Sequence, residues 1–151
     1  MNKINDLNYL RLLNWFSPNF PIGSYIFSHG LENAVEEQIV IDQISLLEWI
    51  KGVITFGTLR FDTTIFRASF TAKKNNDENF FKEINKISFA YRSSKEIALE
   101  SVAQGRAFLN SILSVWENRE FKEWVLNFKK EGYNPDYTVV LGVTACIFKY
   151  L

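Results

Sequence analysis

An all-α fold, a single-domain helical bundle of about seven or eight helices over residues 1–151, is what this sequence predicts. Apolar side chains recur three and four positions apart along nearly the whole chain. Glycine and proline are scarce, at 7 and 3, which disfavours both disorder and a turn-rich β-sandwich. Hydrophobic residues make up 47% of the chain, ample for a core. A domain of this size buries about two thirds of its unfolded surface.

Taken in order, Leu7, Leu10, Leu13 and Phe16 follow helix spacing until residues 17–23. There Pro18 and Pro21 fix φ and remove donors, and with Gly23 they make a stiff bend that is not helix. Helix resumes over residues 31–37, with Leu31, Ala34 and Val35 at helix spacing and Glu32, Glu36 and Glu37 on the wetter side. Residues 38–41 form a brief β-branched connector. Asp42 can cap a helix that carries Ile44, Leu47, Ile50 and Ile54 to about Thr58. Phe61, Ile65, Ala68 and Ala72 mark a fourth helix, and the polar cluster KKNNDEN (residues 73–79) reads as a loop.

A fifth helix over residues 80–91 has Phe80, Ile84 and Ile87 on its apolar side. The sixth, residues 94–116, is the most regular. One stripe holds Leu99, Val102, Arg106, Leu109, Leu113 and Trp116; its neighbour holds Ala98, Ser101, Gly105, Phe108 and Ile112. Two stripes predict a central helix touched on more than one side. Gly105 costs about 1 kcal/mol against alanine inside a helix, so another helix is expected to cross closely there. A seventh helix, residues 119–130, turns Phe121, Trp124, Val125 and Phe128 inward and stops at Gly132. Asn134 and Pro135 are expected to open a last helix as N-cap and first turn.

Composition removes several function classes. Lys plus Arg and Asp plus Glu balance at 17 each, leaving no net positive field for nucleic acid or anionic lipid. The apolar run at residues 137–148 is too short to span a membrane, which takes roughly 20 residues. Asn8, Arg11 and Asn14 interrupt the apolar stretch that could serve a signal peptide, and a single cysteine suits a reducing cytosol, so a cytoplasmic location is expected. One His, one Cys and one Met cannot build a closed zinc site, and the chain carries no P-loop, so no metal site or cofactor is expected.

The most specific stretch is SPNFPIGSYIFSHGLENAVE, residues 17–36. A rigid elbow sets Tyr25, Phe27, Ser28 and His29 just before a helix start, an arrangement suited to docking because a stiff loop loses little entropy on binding. His29, the sole histidine, has no nucleophile or orienting group at a recognisable spacing, so capping, surface or interface roles outweigh catalysis. Arg106 interrupts an apolar stripe. Either it pairs with Asp62 or Glu100, or it contacts a partner, or it lays its stem along the core edge with its head in water. Arg92 reads as a cation at a helix end, and Cys146 as a small core residue.

These residues resemble the UreF family of urease accessory proteins. The elbow matches its Ser-Pro, Phe-Pro-Ile-Gly, Ser-His-Gly-Leu-Glu and Ala-Val-Glu pattern through Ser17, Pro18, Phe20, Pro21, Ile22, Gly23, Tyr25, Phe27, Ser28, His29, Gly30, Leu31, Glu32, Ala34, Val35 and Glu36. Arg92, Ser94 and Glu96 match a second step, and Gln104, Gly105, Arg106, Ala107 and Phe108 a third. The resemblance implies a non-enzymatic assembly factor that joins accessory protein D (also called H) and the accessory GTPase G on apo-urease, promotes nickel insertion, and has homodimerisation among its arrangements. It places partner contacts at Pro18, Pro21, Gly23, Tyr25, Ser28, His29, Gly30 and Glu32, and at Arg92, Gln104 and Arg106. About a third of the family's length, at the C-terminal end, has no counterpart here. Two rivals are a helical module for an apolar ligand or another protein, suggested by the 16% aromatic content, and a small hydrolase using His29.

Overall fold

A computed structural model describes residues 6–17, 19–23 and 30–149. Among them are eight α-helices and no strand: α1 Asp6–Trp15, α2 Leu31–Glu36, α3 Gln43–Phe56, α4 Thr58–Asn75, α5 Glu78–Ala90, α6 Lys95–Val115, α7 Arg119–Lys130 and α8 Tyr137–Ile147. Side-chain caps start most of them. Asp42 and Ser45 form a reciprocal capping box on α3. Asp77, Ser94 and Asn118 accept from the backbone N–H three residues on, opening α5, α6 and α7.

Two boundaries differ from the sequence expectation. The KKNNDEN cluster is mostly helix, since α4 runs on through Asn75 and α5 opens at Glu78. Lysine and glutamate are good helix formers, and the lysines complement the dipole at the end of α4. Asn76 and Asp77 alone make the turn, with Asn76 in the left-handed region (φ 53°) that asparagine tolerates. The last helix starts later than Asn134 because Asp136 is its cap, accepting from the Thr138 N–H at 3.1 Å.

Helix α6 is touched on more than one side, by α8 and by α7, and α8 is more enclosed still. Every residue from Thr138 to Ala145 is buried, and Ile147 as well. Its broadest packing is against α4 and then α6, while α5 and α7 touch it less. Glycine permits both main crossings. A Cβ on Gly142 would lie 2.5 Å from the Phe66 carbonyl oxygen of α4. At Gly105 it would lie 1.7 Å from the Pro135 carbonyl oxygen, so the close crossing expected at that glycine is present. On α6 the small-residue stripe is buried, while Leu99 and Arg106 of the other stripe face water and Val102 and Leu109 are buried.

Phe108, Leu109 and Ile112 of α6 meet Val140, Leu141, Val143 and Ile147 of α8 and Phe121, Val125 and Phe128 of α7. Trp15 of α1 closes this core, its ring edge-on to Phe108, Trp116 and Phe148. A second cluster joins Ile65 and Ala72 of α4 to Ile84 of α5 and Val139 of α8. The inward face of α5 is Phe81, Ile84, Asn85 and Ser88, whereas Phe80 and Ile87 are exposed. Asn85 is tolerated inside because its amide donates to the Asn134 carbonyl at 2.7 Å. Likewise α1 turns Trp15 and Leu12 inward and leaves Leu7, Leu10, Leu13 and Phe16 exposed.

Candidate functional site

Pro18, Tyr25, Ser28 and His29 lie outside the described residues. The described part of the elbow is pinned from below. Phe20 and Ile22 are buried in the main core, with Phe20 5.6 Å from Phe108, while Pro21 and Gly23 are exposed. Gly23 and Gly30 both sit at positive φ, 73° and 84°, a conformation glycine adopts without a Cβ penalty. Gly30 is exposed and caps α2, close to the Trp49 ring, and Glu32 is exposed on the first turn.

Arg92 follows the end of α5, but its head is not at a solvent-facing helix terminus. The guanidinium grips Asp136 through Nε at 3.1 Å and Nη2 at 2.9 Å, and Asp62 of α4 through Nη1 at 2.7 Å. Its side chain is 7% exposed and that of Asp136 0%. Ser101 of α6 donates to Asp136 at 2.9 Å and accepts from the Tyr137 N–H at 3.2 Å. Thr138 donates to Asp62 at 3.1 Å. The Arg92 carbon Cζ stands 5.5 Å from the centroid of the Phe61 ring, itself stacked on Tyr91. Burial pushes the guanidinium's pKa down, but Asp136 and Asp62 more than offset this and hold it above its ordinary value. One cation thus ties α4, the α5–α6 turn, α6 and the head of α8 together. It is a tethering centre, with both oxygens of buried Asp136 engaged by Arg92.

Sequence offers Asp62 and Glu100 as partners for Arg106, and the structure pairs it with neither. Arg106 is exposed on α6; Asp62 bonds Arg92, and Glu100 accepts from Gln104 at 2.9 Å. The physical reason is the phase of α6, which turns Gly105 toward Pro135 and so carries its neighbour away from the core. Asp136 was not singled out from sequence. The signal was there, since it is the one acidic residue in the apolar stretch after Gly132 and it follows a proline at a helix start.

An open cleft of about 460 Å³ lies between the α4–α5 turn and α7, walled by Phe81, Trp124, Phe128 and Tyr133. Its rim carries lysines and carboxylates, including a Lys73–Glu120 ion pair at 2.9 Å. Burial raises the Tyr137 phenol to about 12, so it stays protonated, and burial also raises the Cys146 thiol. Among the described residues no three His, Cys, Asp or Glu side chains gather into a metal-binding group. No described helix is long and apolar enough to cross a membrane.

Helix α3 presents an apolar surface. Although α3 carries Ile44, Leu46, Leu47, Trp49, Ile50, Val53 and Ile54, none of its residues is buried. Ile44 is 74% exposed, Leu47 51% and Phe56 88%.

Fold and site together define an all-α protein with a structural ion-pair centre and an uncovered apolar helix. The UreF family model matches residues 40–150, and the chain belongs to that family. It is 36% identical over 145 residues to the urease accessory protein UreF of Granulibacter bethesdensis, covering 96% of this chain and 60% of that protein. The UreF of Methylobacterium radiotolerans is 38% identical over 116 residues, 77% of this chain and 51% of its own length. That of Magnetococcus marinus is 36% identical over 115 residues, 76% and 50%. The chain therefore spans about half to three fifths of the curated relatives it matches. No solved structure matches it. The family match includes Arg92, Gln104 and Arg106 and begins after the elbow.

Proposed function

We propose that this chain is a urease maturation scaffold. It holds accessory protein D (H) and the GTPase G against apo-urease in the cytoplasm, so that GTP hydrolysis by G is coupled to delivery of nickel, the cargo. The chain contributes surfaces rather than chemistry and needs no cofactor of its own. Membership of the UreF family carries this reading. Further support comes from the exposed apolar side chains of α1 and α3, since clustered exposed apolar side chains mark interaction sites. The elbow positions Pro18, Pro21, Gly23, Tyr25, Ser28, His29, Gly30 and Glu32 serve as one contact region, and exposed Arg106 with Gln104 on α6 as another. Arg92 acts on the second region indirectly, by fixing α6 against α8.

The test is co-expression with D and G, followed by affinity capture and size-exclusion chromatography, beside a deletion strain assayed for urease activation. Co-elution with either partner and a loss of activation on deletion are expected. A chain that elutes alone, with urease activation unchanged by its deletion, overturns the proposal.

A further inference from the structure

We propose that the outer face of α3 docks an amphipathic helix whose apolar side is rimmed by lysine and arginine, a refinement that rests on the scaffold reading. The geometry of α3 comes first. Leu46, Trp49, Gly52 and Val53 form its half-buried side, and α4 is its chief packing neighbour. Ile44, Leu47, Ile50 and Ile54, spaced three, three and four, form a second apolar stripe on the exposed side. A helix apolar over most of its circumference is normally covered over most of it, with only its polar side, here Glu48, Lys51 and Thr55, left to water. This one is covered on one side.

Charge selects the occupant. From Gly30 to Ile50 the chain has five carboxylates and no lysine, arginine or histidine, although the whole chain is neutral. Glu36, Glu37 and Asp42 of that set are exposed at the end of α2 and in the segment that leads into α3, which Asp42 caps. The first cation, Lys51, is held by Glu48 at 2.6 Å. A partner that docks on α3 approaches this acidic stretch, which leads directly into the helix, so an opposite charge at its margin both speeds encounter and fixes register. A partner helix of the required kind places leucine-like residues at i, i+3, i+4 and i+7 and cations beside them.

The probe is a fluorescein-labelled designed peptide with a leucine face and a lysine rim, titrated by anisotropy into the full chain; a matched peptide carries a glutamate rim. The lysine peptide is expected to bind about tenfold or more tightly than the glutamate peptide, and the preference to shrink at high salt. Leu47→Asp should abolish binding with the circular dichroism unchanged, and Glu36→Lys with Glu37→Lys should reverse the preference. Equal binding of both peptides, binding of neither, or indifference to Leu47→Asp overturns the proposal. So does self-association or uptake onto phosphatidylglycerol vesicles that Leu47→Asp abolishes while neither peptide binds. Capture of D and G that survives all three substitutions would sink the α3 proposal and leave the scaffold standing. Failure of the wild-type chain to capture either partner counts against the scaffold, and the peptide preference is read separately.

Discussion

Helices α3 and α8 are both apolar around most of their circumference, yet they meet opposite fates. Four helices enclose α8 and bury it from Thr138 to Ala145, while α3 rests mainly on α4 and buries none of its fourteen residues. The difference lies in what the chain supplies as cover. Gly105 and Gly142 let α6 and α4 approach α8 at backbone distance, and the Arg92 centre fastens the head of α8. Against α3 only half-buried contacts are made, and its other stripe meets water. Helical periodicity shows which side chains want cover; it does not say which molecule provides it.

The sharpest way to break this contrast is to unfasten α8. Arg92→Met leaves Asp136 buried without its counterion, and an orphaned buried charge costs about 3–5 kcal/mol, read as a fall in the urea midpoint. Adding Asp136→Asn to that variant should restore part of the loss. Next comes a matched pair of truncations. Ile112→Ala, fully buried on α6, should cost about 2–5 kcal/mol. Ile44→Ala on exposed α3 should stay within about 0.5 kcal/mol, so equal effects at the two sites would erase the comparison. Gly105→Ala drives a methyl group into the Pro135 carbonyl and should cost about 1–3 kcal/mol or more, with a lower melting temperature and a shifted near-ultraviolet signal.

The smallest effect is a pH dependence. Bonds from the Ser45 backbone N–H and hydroxyl hold the Asp42 carboxylate below its ordinary value of 3.8. A depressed carboxylate stabilises the fold above its unfolded value, and that contribution fades as pH falls through the lower folded one. Asp42→Asn keeps an N-cap without the titration, so its acid unfolding limb below about pH 4 should be flatter than that of the parent chain.

Much of the fold was legible. The Asp42 cap, the span of the 119–130 helix and the close approach at Gly105 follow from local chemistry that needs no tertiary knowledge. What failed was orientation. The exposed stripe of α1, with Leu7, Leu10 and Leu13, and Phe16 just past its end, reads in sequence like the buried face of α7, because spacing is blind to which side a neighbour occupies. The still more enclosed position of α8 was missed for a related reason. The long, regular α6 advertises two stripes, whereas α8 is shorter and uniformly apolar, and uniformity carries no periodic signal. The site was legible as residue types, with Arg92 and Asp62 both noticed, but their pairing depends on how helices far apart in sequence are brought together. Family resemblance put Arg92 among partner contacts, whereas its guanidinium is buried between Asp62 and Asp136.

The two counterions of Arg92 lie on opposite sides of it in sequence, 30 residues back at Asp62 and 44 residues ahead at Asp136. On the ribosome the arginine and its first carboxylate emerge well before the second. For that interval the turn between α5 and α6 is only half anchored, and the groove that α8 will fill stands open. The arrival of residue 136 is the moment at which the nascent chain can seal, which makes the stretch from 92 to 136 the window in which a helper that shields apolar surface would matter most.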